Sequence, residues 1–222
     1  MSESFERASD PMKQSKPAGT AAANAAGISK SGSTGMSSAK RGITTRKLTF
    51  CAMCTALALV TGEIRLFSLP TGGSVTLLRM LFVVLPGWFY GIPFGAACGL
   101  ILGLLNFVLG PYFLSFPQFL FDFILAFSIM GISGLFRNRK RGLIEGYVAA
   151  VLGRWIMASI AGLIWVSLGS TPWEGWAPLP YSLAYNGAYI LTEGVLTVVI
   201  LLIPSVRKAL TMIKEMALKQ SK

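Results

Sequence analysis

Four ionisable side chains, Arg79, Asp122, Arg154 and Glu193, lie inside long apolar runs of this 222-residue chain. A charge in hydrocarbon costs a few kcal/mol on insertion scales, so each marks a functional position by default. At about 1.5 Å of rise per residue, Asp122 and Asn186 fall about 8 Å below one membrane boundary, with Ala158 at a similar level. Arg154 and Glu193 fall near the middle and could pair. Helical spacing groups these residues further: Gln118 with Asp122; Arg154 with Ala158, Gly162 and then Trp165; Asn186 with Tyr189 and Glu193. Tyr181 stands at the mouth of the last stripe. The pattern predicts an outward-opening pocket walled by Asp122, Asn186, Tyr181 and aromatic rings, with a charge pair as its floor.

The chemistry of such a pocket is recognition. A carboxylate in an apolar layer goes neutral unless a positive charge lies close. A cationic aromatic ligand would supply that charge, and stacking on Trp165, Tyr181 or Trp176 would add about 0.5 to 2 kcal/mol per contact. Arg79, at nearly the depth of Asp122, is the competing partner. The opposing reading is that intramembrane polar groups only bond neighbouring helices. That reading is preferred for Arg154 and Glu193, and the ligand reading for Asp122 and Asn186.

No catalytic constellation accompanies the pocket. The chain has no G-x-x-x-x-G-K-[ST] phosphate loop, no H-E-x-x-H, no G-x-S-x-G and no His at all. It is expected to be no enzyme, with no cofactor and no metal. Cys51, Cys54 and Cys98 all lie in apolar runs, so neither a disulfide framework nor a zinc site is expected.

Composition names the solvent. Apolar residues make up 53% and charged residues 13%, about half the charge of a soluble domain, and mean hydropathy is +0.62. This is an integral membrane protein, expected to be all-α. The net charge of +11 does not imply nucleic acid, because eight of the 20 basic residues lie in 1–47 and five in 207–222, flanking the apolar body where anionic lipid would meet them.

Six apolar segments, about 48–67, 75–91, 93–110, 117–136, 143–168 and 182–204, are separated by Pro- and Gly-containing turns. The second and third are divided so narrowly that one long broken helix is the competing reading. With six spans, the basic clusters before the first, between the fourth and fifth, and after the last share one face, so both termini are cytoplasmic. Residues 1–42, rich in Ser, Ala, Gly and Lys, read as a disordered cytoplasmic tail, 43–206 as a six-helix membrane domain, and 207–222 as a basic cytoplasmic extension. Gly91, Gly95, Gly99 and Gly103 form a small-residue stripe suited to packing within the bundle, and Ala52 and Ala56 a weaker one on the first span.

Three segments together resemble a known family: Leu69-Pro70 followed by Gly72-Gly73-Ser74-Val75-Thr76; Gln118-Phe119-Leu120-Phe121-Asp122-Phe123 with Gly131 and Gly134 behind it; and Tyr181-Ser182-Leu183-Ala184-Tyr185-Asn186-Gly187 with Glu193 beyond. They are similar to the thiamine-specific substrate-binding subunits of energy-coupling factor (ECF) transporters over about 48–205. The resemblance implies a six-helix subunit of a bacterial plasma membrane. It would bind the vitamin from outside and deliver it by toppling, driven by a transmembrane coupling subunit and two cytoplasmic ATPases. It also implies that Asp122 is the acid of the pocket, that Tyr181 and Asn186 are polar contacts, and that Trp165 belongs to the stacking stretch. Gln118, Ala158, Tyr189 and Glu193 complete the expected binding set. Ala52 and Ala56 would dock on the coupling subunit, and the loop Phe67 to Gly73 would be the lid. The chain departs from the family at three positions: Ala158 stands where a His is usual, Phe123 where a Tyr is common, and Arg79 is unexpected. The turn between the second and third spans also lacks the usual basic residues. The alternatives are a thiamine precursor or another heteroaromatic vitamin in the same transporter class, or a non-transporting membrane scaffold.

Overall fold

The computed structural model describes residues 45–69, 73–111, 113–169 and 175–219. The expected tail, 1–42, lies outside them. The described chain is helical: α1 (Thr45–Glu63), α2 (Arg79–Tyr90), α3 (Ile92–Leu109), α4 (Phe116–Phe136), α5 (Gly142–Ser167), α6 (Pro178–Leu202) and α7 (Pro204–Lys219). A short antiparallel hairpin of β1 (Arg65–Ser68) and β2 (Ser74–Thr76) stands between α1 and α2, with Arg65 opposite Thr76 and Ser68 opposite Ser74.

Helices α3, α4, α5 and α6, of 18, 21, 26 and 25 residues, are long and apolar enough to cross a membrane. The first two expected spans are shorter than their apolar runs. Residues 65–68 and 74–76 are extended and pair with each other, so α1 stops at Glu63 and α2 begins only at Arg79. At 12 residues α2 is about 18 Å long, short of the hydrocarbon thickness. It is also the innermost helix. From Met80 to Tyr90 every residue but Phe82 is buried, as expected of a helix that is hydrophobic all round.

Helices α2 and α3 are separate, divided at Gly91. Its φ of 103° belongs to glycine, and its N–H donates to the Gly87 carbonyl at 2.8 Å. The glycine stripe of α3 seats α4. A Cβ on Gly95 would come within 2.7 Å of Gly87 Cα and 2.8 Å of Gly131 Cα, while Gly99 and Gly103 lie against the Phe127 and Phe123 carbonyls. Within α4 the hydrogen-bond ladder widens to π-helical over Leu120–Leu125 and tightens to 3₁₀ over Ile129–Phe136. Asp122 sits in the wide stretch, a departure from α geometry often found at functional sites.

Helix α7 folds back on the bundle. Val206, Leu210 and Ile213 pack against the core, and Lys214 Nζ lies 4.1 Å from the Trp88 ring centroid while donating to the Arg137 carbonyl at 2.5 Å.

Candidate ligand pocket

A cavity of about 430 Å³ is enclosed by the hairpin end, the start of α2, and helices α3, α4, α5 and α6. Small side chains line its α5 side: Ala158 and Ala161 leave room for it, and Gly162 lets Ser182 and Asn186 of α6 pack close, where a Cβ would come within 2.3 Å of the Ser182 hydroxyl. Across from them α6 turns Tyr181, Tyr185 and Tyr189 inward at four-residue spacing. The Tyr181 and Tyr185 rings stack with centroids 5.9 Å apart and planes at 16°, and Tyr189 meets Tyr185 edge-on at 67°.

The polar network on α6 is locked. Tyr189 donates its hydroxyl to Asn186 Oδ1 at 2.7 Å, and Asn186 Nδ2 donates to the Ser182 carbonyl at 3.0 Å and the Ser182 hydroxyl at 3.3 Å. Ser182 in turn donates to the Ser159 carbonyl at 2.6 Å, fastening α6 to α5. Asn186 therefore faces the cavity with both ends of its amide engaged, and it orients the Tyr189 hydroxyl. Above this layer the Gly73 N–H donates to the Tyr185 hydroxyl at 2.8 Å and the Leu69 N–H to the Gly73 carbonyl at 2.6 Å. The hairpin thus closes on the tyrosine row. Residues 70–72 of the expected lid lie outside the described residues.

Seven of the eight expected binding residues line the cavity: Asp122, Tyr181, Asn186, Trp165, Gln118, Ala158 and Tyr189. Glu193 does not. It is buried behind the wall and accepts three hydrogen bonds, from the Thr76 hydroxyl at 2.6 Å, the Thr76 N–H at 3.3 Å and the Met80 N–H at 3.0 Å. These donors flank Leu78, a non-glycine residue at φ 60°, and the carboxylate holds that left-handed turn at the positive end of α2.

The expected Arg154–Glu193 pair is accordingly absent. Arg154 lines the cavity, with its guanidinium 4.5 Å above the Phe127 ring. Trp176 is 47% exposed and stands outside the cavity lining. Arg79 does not lock onto Asp122 either. Its guanidinium donates to Asn106 Oδ1 and lies 5.5 Å from the Phe127 centroid, while Asp122 accepts from Gln118 Nε2 at 3.3 Å. Among the described residues the ion pairs are Arg65–Glu63 at 3.6 Å and Arg139–Glu145 at 3.1 Å, both on the surface.

The sequence reading missed Asn106, Ser182 and Tyr185. Tyr185 was discoverable from its place between Tyr181 and Tyr189 on one stripe; Asn106 needed the α3–α4 packing. On α1, Ala52 and Ala56 are exposed beside Met53, Leu57 and Val60, forming a small-residue strip among larger apolar side chains. Chemically the cavity presents one carboxylate, two guanidiniums, aromatic faces and hydroxyls, which suits binding of a small polar aromatic guest.

The family described as thiamine transporter protein (Thia_YuaJ) matches residues 48–213. The thiamine transporter ThiT of Bacillus subtilis is 31% identical over 166 residues, covering 68% of this chain and 85% of that protein. A solved structure of ThiT from Listeria monocytogenes superposes with a TM-score of 0.59 at 26% identity, covering 72% of this chain and 94% of that one. With the family matched over residues 48–213 and a relative 31% identical over 68% of the chain, this chain belongs to the thiamine transporter protein family.

Proposed function

We propose that the chain captures thiamine at the outer side of a bacterial membrane and hands it to an ECF-type import machine. It is a multi-pass membrane transport subunit rather than an enzyme. The observation that carries the reading is the convergence of Asp122, the Tyr181–Tyr185–Tyr189 row, Trp165 and Asn186 on one cavity of about 430 Å³. Asp122, free of Arg79, faces the thiazolium cation, while the rings stack on the pyrimidine and thiazolium.

In this reading the chain crosses the membrane six times, the first crossing made by α1 and the second by α2 together with the extended segment β2 that leads into it, with both termini in the cytoplasm. The basic residues before α1, between α4 and α5, and along α7 then share one face and meet anionic lipid. Residues 1–42 form a cytoplasmic tail, 43–206 the membrane domain and 207–222 a basic extension. ATP hydrolysis belongs to two partner ATPases, coupled through a transmembrane subunit that docks on Ala52 and Ala56. The exposed alanine strip on α1 supports that assignment, because small residues let two helices approach closely.

Saturable quenching of tryptophan fluorescence by thiamine in the purified protein tests the proposal. Quenching at submicromolar thiamine is the expected result. Response only to another heteroaromatic vitamin would change the substrate, and no response to any would leave a membrane scaffold.

A further inference from the structure

We propose that the seam between α5 and α6 holds one acyl chain of an anionic phospholipid, with the lipid headgroup at the basic turn before α5. The lipid comes from the inner leaflet in the membrane orientation proposed above, and the inference rests on that orientation only for the choice of leaflet.

A second cavity, of about 390 Å³, runs along this seam and shares no lining residue with the ligand pocket. Its walls are Val148 and Leu152 of α5 and Val195 and Val199 of α6, all exposed. Val151 and Gly194 close its floor, where a Cβ on the glycine would come within 2.9 Å of Val151 Cγ1. Tyr147 is the one polar side chain in the lining, and its hydroxyl is shut off from solvent. The groove therefore offers nothing to a polar guest. Valine is stiff at χ1 in a helix, so walls built largely of valine keep their shape before anything enters.

A membrane supplies two apolar occupants, another helix and a lipid chain. Helices dock where small residues let backbones approach, and the one glycine of this groove is already taken by Val151 of the same chain. What remains is valine and leucine, with no small-residue strip for a second helix. Depth fits the lipid chain. Counted at about 1.5 Å per residue from Gly142 on α5 and Leu202 on α6, the lining runs from about 5 to about 17 Å deep, close to one leaflet of a core about 30 Å thick.

Charge selects the headgroup. Arg141 stands seven residues before Val148, and Ile144 lies between them on the stripe that leads into the groove. Arg137, Arg139, Lys140 and Arg141 crowd this turn against a single acid, Glu145. Arg139 engages that acid at 3.1 Å, and Arg137 donates to the Tyr90 carbonyl at 3.4 Å. Lys140 and Arg141 are exposed, and no hydrogen bond or ion pair among the described residues uses their side chains. Basic residues at the cytoplasmic end of a groove between transmembrane helices attract anionic headgroups. A zwitterionic headgroup carries an ammonium as well, which these two cations repel.

The test uses the purified full-length protein in detergent with phosphatidylglycerol and phosphatidylcholine of identical chains. Native mass spectrometry of an equimolar mixture should show phosphatidylglycerol retained at least fivefold over phosphatidylcholine. Lys140→Gln combined with Arg141→Gln should bring the two lipids to parity. Val195→Trp, which fills the groove from its lipid-facing wall, should cut phosphatidylglycerol retention at least fivefold while thiamine affinity stays within twofold. Equal retention of the two lipids by the unmodified protein means ordinary contact with the bilayer and overturns the proposal. Unchanged preference in the charge variant, or unchanged retention in Val195→Trp, overturns it too. If Val195→Trp fails to fold, the charge variant and the ratio for the unmodified protein decide. Thiamine titration of the same unmodified sample reports on vitamin capture separately, so either reading can fail while the other stands.

Discussion

Thr76 donates its hydroxyl to Glu193 Oε2 at 2.6 Å, joining the hairpin strand beside the pocket to the middle of α6 across 117 residues of sequence. With the Thr76 and Met80 N–H groups on the same carboxylate, this contact fixes the turn at Leu78 and therefore where Arg79 enters the cavity. Glu193→Ala removes the acceptor of three buried donors, a loss of about 1 to 3 kcal/mol for a donor left unpaired. The melting temperature in detergent should fall by several degrees. Glu193→Gln, which keeps an oxygen, should recover part of the loss. An unchanged melting temperature for the alanine variant would remove the clamp from the account.

Asp122→Asn keeps the size and the Gln118 contact but removes the negative charge. Affinity for cationic thiamine should drop at least tenfold, about 1.4 kcal/mol. Calorimetry checks it, and an affinity within twofold of the parent would show that the acid does not face the ligand's charge.

Asn186→Ala unfastens Tyr189 from Asn186 Oδ1 and leaves both the Tyr189 hydroxyl and the ligand short of a partner. Ligand binding should weaken at least tenfold with little change in fold. Tyr189→Phe should show a smaller loss, since it deletes one hydroxyl and keeps the ring. Equal losses would mean that Asn186 acts only by placing Tyr189.

Ala56→Leu places a bulky side chain on the exposed strip of α1, outside the cavity lining. Vitamin uptake by cells carrying the assembled transporter should fall sharply while binding by the isolated subunit stays intact. Loss of both together would point to misfolding and withdraw the docking role.

Lys214, on α7, gives a pH dependence of known sign. Burial first, and Arg137 second, push its ammonium down from 10.5 to about 8. The unfolded chain keeps that proton up to about 10.4, so between those values it binds more protons than the folded chain and stability rises with pH. The Trp88 ring and the Arg137 carbonyl favour the ammonium and keep the effect modest. Melting temperatures from pH 7.5 to 10 should climb for the parent relative to Lys214→Met. Parallel curves would show that Lys214 keeps its ordinary pKa.

Residue types and spacing were enough to read the solvent, the helical class and most of the pocket. Hydrophobic length reports the bilayer directly, and polar residues one or two turns apart on a helix must share a face, so Gln118 with Asp122 and Asn186 with Tyr189 were legible in advance. Partner choice was not, because it depends on which faces meet. Midplane depth alone suggested Arg154 for Glu193, yet the hairpin between α1 and α2 brings Thr76 and the Met80 N–H to that carboxylate first. The hairpin itself was hidden, since five of its seven strand residues sit at the ends of runs long enough to pass for helix. Arg79 could be recognised as a rival for Asp122, but not as a partner of Asn106 on α3. That pairing requires the glycine at position 62, whose missing side chain lets the arginine lie flat against α1. Depth and face follow from one helix at a time; which charge meets which acceptor follows only from how the helices pack.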